Sequence, residues 1–208
     1  SKKAKGLFHK AISMSGYTTS ISLQDAHKPL NKSVTSRYSS EQVVKNLIDN
    51  HKNFKNIKIN DYEQIREALL DISSEDFFKI YAERESYEEL PLLTADGIVI
   101  PLIGLKDALS RKEHVNIVPT IAGSNRDEVK LWLASARYFV DLKYSFFGSI
   151  LGVPKVKLSN EASYEAFNYY RSSAWKIRGV DTPLKSLSIA GNKELYAYRS
   201  LTFNAKKF

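Results

Sequence analysis

Residues 115–128, VNIVPTIAGSNRDE, decide how the chain is read. From Val115 to Gly123 the stretch is β-branched and nearly continuous in apolar character. That is the pattern of a strand buried on both faces of a parallel sheet. Ser124-Asn125-Arg126-Asp127-Glu128 then reads as a loop. In open α/β sheets the active groups sit on loops just beyond the carboxyl ends of the strands. Two carboxylates, Asp127 and Glu128, fall at that point. On spacing alone they read more readily as a solvated pair, or as first-turn acids favoured by the dipole of the helix that follows.

The segments on either side fit an α/β chain. Residues 7–15 (LFHKAISMS) read as a short strand stopped by Gly16, and residues 17–39, rich in Ser, Thr, Asn and Lys, as a long irregular connection. Ser40 resembles the N-cap of a helix ending near Asn50, with Val43, Val44, Leu47 and Ile48 on one face. Asn60 or Asp61 caps a second helix striped by Ile65, Ala68, Leu69 and Ile72. Ser74 opens a third, with Phe77, Phe78, Ile80 and Tyr81 inward. Residues 40–90 therefore read as a helical insertion.

Beyond the insertion, residues 92–101 are strand-like with a turn at Asp96-Gly97, and residues 103–110 form a short amphipathic helix. After the acidic loop, residues 131–142 read as a helix. So do residues 161–175, with Ala162, Ala166, Tyr169 and Tyr170 among the inward candidates. Pro183 starts a helix that ends before Gly191, and residues 195–203 (LYAYRSLTF) read as a strand. Strands separated by long helical crossovers predict an α/β fold with a mostly parallel sheet. Three strands are fewer than the roughly six of a doubly wound sheet. With Ser1 at the start and a strand close to the end, residues 1–208 are expected to form an incomplete domain.

Composition narrows the function. Hydrophobic residues make up 43% and charged residues 26% of the 208, an ordinary globular balance. The net charge of +8 is spread over scattered lysines, with no basic stripe interleaved with aromatics, so no nucleic-acid partner is expected. There is no Cys, which excludes disulfides, thiolate metal sites and a Cys nucleophile. No apolar run reaches the roughly 18 residues that a membrane span needs. Nothing here sets a compartment or an oligomeric state.

Motifs for catalysis are sparse. The G-x-S-x-G elbow is absent, and Ser15-Gly16 and Gly148-Ser149 lack its flanking glycine. Neither G-x-x-x-x-G-K-[ST] nor G-x-G-x-x-G occurs. His9, His27, His51 and His114 show no H-x-x-x-H spacing and read as surface or packing residues. No metal and no organic cofactor are implied.

Four blocks together are similar to the type-B carboxylesterases, the α/β-hydrolase family that includes the cholinesterases. Residues 5–16, KGLFHKAISMSG, look like that family's K-G-L-F-H-x-A-I-x-x-S-G block. Asp96-Gly97-Ile98-Val99-Ile100-Pro101 looks like its D-G-x-x-I-P block. Gly123-Ser124-Asn125-Arg126-Asp127-Glu128 looks like its Gly-x-Asn-x-Asp-Glu, and Leu195-Tyr196-Ala197-Tyr198-Arg199 like the strand before its catalytic His loop. The blocks stand in the family's order and span almost the whole chain.

The resemblance implies part of an α/β-hydrolase fold, the C-terminal part of its sheet. It implies a carboxylic ester hydrolase with a Ser-His-Glu triad acting on a small-molecule ester. Glu128 matches the triad acid, Ser15 a serine that supports that acid, and Leu131 and Trp132 positions that line the substrate gorge. Trp132 reads equally as a core residue of the following helix. Nucleophile and base have no counterpart here, so this segment alone is expected to be inactive. The alternative is a catalytically inactive, cholinesterase-like interaction domain. Two departures stand out. Val129 replaces the usual Gly, and Ser200-Leu201-Thr202-Phe203 replaces the usual Phe-Asp-x, as a truncation or frameshift would.

Overall fold

The computed structural model describes residues 2–28, 39–80, 92–133, 138–143, 145–152 and 155–201. Along the chain the elements are β1 (Ala11–Met14), β2 (Ser20–Ser22), α1 (Leu23–His27), α2 (Ser40–Asn50), α3 (Tyr62–Asp71), α4 (Ser74–Lys79), β3 (Leu93–Ala95) and α5 (Leu105–Ala108). They continue as β4 (Thr120–Asn125), α6 (Lys130–Leu133), β5 (Val140–Lys143), α7 (Phe146–Leu151), β6 (Lys155–Leu158), α8 (Glu161–Lys176), α9 (Thr182–Ile189) and β7 (Leu195–Ser200). The chain is mixed α/β and divides into two compact units, Ser1–Thr18 with Lys106–Phe208, and Thr19–Leu105.

The first unit is built on a parallel three-stranded sheet in the order β1-β4-β7. Ile12 stands opposite Ile121, and Ile121 opposite Tyr196. β4 is central, and Ala122, Gly123 and Ser124 are buried in succession, as a strand covered on both faces requires. The ladder begins later than the apolar run does. Pro119 has no N–H to give and serves only as an acceptor, from the amide of Ala11 at 3.0 Å. Residues 115–119 therefore precede the ladder, and the strand runs from Thr120 through Asn125. All three strands point the same way, so Ser15, Asn125 and Ser200 lie at one edge of the sheet.

Residues 131–142 do not form the single helix expected of them. α6 stops at Leu133, and Val140-Asp141-Leu142-Lys143 pairs antiparallel with Lys155-Val156-Lys157-Leu158. Both tetrads alternate apolar and polar residues with period two, a signal that prevailed over the helical reading. Residues 134–137 lie outside the described residues. Leu133, Phe139, Val140 and Tyr164 form the local core, with Val129 and Leu158 packed against it.

α8 runs over the expected residues but buries another face. Tyr164, Asn168 and Ser172, spaced four apart, are buried, whereas Tyr169 and Tyr170 are 62% and 70% exposed. Ala162 and Ala166 are exposed as well. Counting apolar residues picked the wrong stripe because two of the three buried positions are polar, and their partners lie far away in sequence. α8 continues through a π-helical turn, Ile177–Asp181, into α9, with Pro183 in its first turn. α8 and the π turn pack on β4, and α9 packs on β7.

In the second unit the cap of α2 falls one residue earlier than expected, while α4 opens at Ser74 as expected. Ser39 caps α2 and Ser73 caps α4, each accepting the amide three residues on, while Asp61 caps α3. Val43, Leu47, Phe54 and Ala68 form the core, with Ile72, Phe77 and Ile80 packed against it. Phe78 is exposed, and Tyr81 lies outside the described residues. Residues 17–39 are not wholly irregular: β2 and α1 lie within them, and β2 pairs parallel with β3. β3 ends at Ala95 because the Asp96 carboxylate accepts the amides of Ile98, Val99 and Ile100 at 2.9, 2.8 and 3.1 Å. Those backbone hydrogen bonds hold the Asp96 carboxyl below its ordinary range.

Candidate functional site

The site lies at the carboxyl edge of the parallel sheet, where β1 and β4 hand over to their loops. The amide of Ser15 still bonds the Gly123 carbonyl at 2.8 Å, continuing the ladder, and the chain then turns at Ser15 with φ +54. A left-handed conformation in a residue with a side chain costs about 1–2 kcal/mol, and such strain gathers where the surroundings impose it. Here it coincides with a hydrogen bond from Ser15 Oγ to Glu128 Oε2 at 2.7 Å, across 113 residues of sequence.

Glu128 is half-buried, and its Oε2 also accepts the Asn125 amide at 2.8 Å. Among the described residues, Oε1 accepts no hydrogen bond. One oxygen is thus anchored by two donors, and among the described residues the other has none. Of the four histidines, His9 and His114 precede β1 and β4 and so lie toward the opposite edge of the sheet. His27 and His51 belong to the other unit. His27 bonds Ser40, and His51 accepts the Asn53 amide.

The loop that carries Glu128 is held from several sides. The Arg126 amide bonds the Ser200 carbonyl at 2.8 Å, and Arg199 Nη2 reaches the Arg126 carbonyl at 3.3 Å. Arg126 Nε donates to Asp127 Oδ2 at 2.9 Å. Asn168 Nδ2 donates to the other oxygen of Asp127 at 2.8 Å, and the Val129 amide donates to Ser172 Oγ at 3.1 Å. Tyr164 Oη donates to the Lys130 carbonyl at 2.9 Å, and burial pushes that phenol up. The Glu165 carboxylate raises the Lys130 ammonium.

Of the expected site residues, Ser15 and Glu128 are in direct contact. Trp132 sits on α6, four positions past Glu128, and is 55% exposed rather than in a core. Its ring meets Trp175 edge-on at 5.5 Å, and Trp175 leans on Tyr17 at 5.2 Å. The Tyr17 hydroxyl accepts from Arg178 Nη1 at 3.0 Å, which raises the Arg178 guanidinium. The Trp175 indole N–H is buried with no partner among the described residues. The backbone of Leu131 lies in α6; its side chain is outside the described set.

Asn168, Ser172, Trp175, Tyr17 and Arg178 were not singled out from the sequence. The Asn168–Ser172 pair has the i, i+4 spacing of one helix face, but only the fold shows that this face meets the acidic loop.

Among the described residues no group of three His, Asp or Glu side chains could hold a metal ion, and no helix is long and apolar enough to cross a membrane. No family model matches the chain, and no curated protein matches it.

Proposed function

We propose that this chain is part of a carboxylic ester hydrolase of the cholinesterase-like α/β-hydrolase type, and that Glu128 is the acid of its Ser-His-Glu triad. The observation that carries the reading is the Ser15–Glu128 hydrogen bond at the carboxyl edge of a parallel sheet. Two stretches that resemble separate blocks of that family are joined there by their chemically active side chains.

In this reading Glu128 Oε1 accepts an imidazole N–H, fixes the tautomer and steadies the imidazolium that forms. Ser15 and the Asn125 amide hold the other oxygen so that the carboxylate does not rotate away. A serine and a histidine outside these 208 residues supply nucleophile and base. The serine hydroxyl attacks the ester carbonyl while its proton passes to the imidazole. The alcohol then departs with that proton, and water releases the acid. Backbone N–H groups stabilise the oxyanion. The exposed face of Trp132 suits an apolar acyl or alcohol group. No metal or organic cofactor takes part.

The transcript encoding the chain tests this. It is expected to carry a G-x-S-x-G elbow upstream and a histidine downstream, and its full product to hydrolyse a p-nitrophenyl ester. Glu128→Gln is expected to lower kcat by roughly 10⁴-fold, the scale seen when a triad acid is replaced by its amide. An active product whose Glu128→Gln variant keeps its kcat would remove Glu128 from the triad. An inactive product with the elbow serine replaced favours the interaction domain instead.

A further inference from the structure

The residues on either side of Glu128 are both tied to one helix. Asp127 Oδ1 accepts from Asn168 Nδ2 at 2.8 Å, and the Val129 amide donates to Ser172 Oγ at 3.1 Å. Ser172 Oγ in turn donates to Asn168 Oδ1 at 3.1 Å, so the two side chains form one unit on successive turns of α8. Asn168 is 1% exposed and Ser172 0%. The donor directions are set by chemistry: an aspartate only accepts, so the amide nitrogen must face it, and the remaining amide oxygen takes the serine proton. A buried polar pair is retained only where its bonds are complete, and here they end on the backbone of residue 129 and the side chain of residue 127.

We propose that Asn168 and Ser172 are positioning residues for Glu128. By pinning positions 127 and 129 they leave the intervening residue one orientation, with Oε2 turned to Ser15 and Asn125 and Oε1 without a donor among the described residues. This also explains how Val129 is accommodated. Its side chain packs on the Leu133–Tyr164 core while its amide reaches Ser172, so the turn needs no glycine. The role of the carboxylate rests on the hydrolase reading; how it is held does not.

Amide hydrogen exchange of the chain, followed by NMR, tests the proposal. The informative reporter is the Asn125 amide, whose acceptor is Glu128 Oε2 and neither Asn168 nor Ser172. Ser172→Ala should speed Asn125 exchange about tenfold relative to the β4 amides of Ile121 and Ala122, the effect of losing one bond that holds a part-buried N–H. Ser172→Thr, which keeps the hydroxyl, should restore it. Should Ser172→Ala not fold, Asn168→Asp sets a carboxylate against Asp127 at nearly unchanged volume, and the same selective loss is expected. Unchanged Asn125 exchange would overturn the proposal, and so would an equal acceleration at Asn125 and in β4, which marks a merely structural role. Either result leaves the Glu128→Gln kinetics to be judged separately.

Discussion

Gly179, in the π turn between α8 and α9, is the position at which the tertiary structure makes its sharpest prediction. A Cβ added there would collide with the carbonyl oxygen of Gly16, the residue after Ser15. In an exposed helix interior, Gly→Ala gains about 1 kcal/mol of propensity. Here the obstacle is backbone, which cannot rotate aside as a side-chain tip can, and overpacking of this kind costs about 1–3 kcal/mol. If Gly16 yields instead, the Ser15 hydroxyl is drawn off Glu128, and a hydrogen bond to a charged group is worth about 1.5–3 kcal/mol. Gly179→Ala is therefore expected to destabilise by about 1 kcal/mol net of the propensity gain. Urea unfolding followed by tryptophan fluorescence reads this cleanly. The chain has two tryptophans, Trp132 and Trp175, and both lie in the unit that contains the turn. A variant as stable as the parent, or more so, would refute the close approach and with it the placement of the Ser15 loop against the π turn.

Two further outcomes follow from single positions. At Ser15, Ala loses the bond to Glu128 and keeps the left-handed strain, whereas Gly loses the bond and relieves the strain, so Ser15→Ala should be the less stable variant by about 1 kcal/mol in the same urea titration. At Asp76 in α4, the Lys79 ammonium at 2.6 Å and then the Ser73 hydroxyl lower the carboxyl to about 2. A depressed carboxylate stabilises the fold above its unfolded value near 3.8, and that contribution fades as pH falls from there toward about 2. Circular dichroism of helix content should show this acid loss, and Asp76→Asn should flatten it.

Much of the architecture was legible because it depends on local pattern. The apolar run ending at Gly123, the alternation in residues 7–15 and the capping residues near 39, 61 and 73 each act over a few neighbours, and the parallel α/β sheet follows from their order. The misreadings share a cause. The helix expected through residue 142 gave way to the β5–β6 pair because a strand is stabilised by a partner that local periodicity does not reveal. The extended strand expected at residues 98–100 gave way to a loop because one aspartate oxygen took three amides.

At the site, residue type and spacing put Asp127 and Glu128 just beyond the best strand, and the resemblance to the carboxylesterase blocks, not spacing, marked Ser15 and Trp132 as companions of Glu128. Only the tertiary structure decided which atoms meet. It brought Ser15 onto Glu128 across 113 positions, turned a polar face of α8 inward to grip residues 127 and 129, and set Trp175 and Tyr17 beside Trp132. A buried asparagine or serine is tolerable only when its hydrogen bonds are made, and those partners are fixed by how the chain returns on itself. That return depends on packing across the whole sheet, which no local window of residues contains.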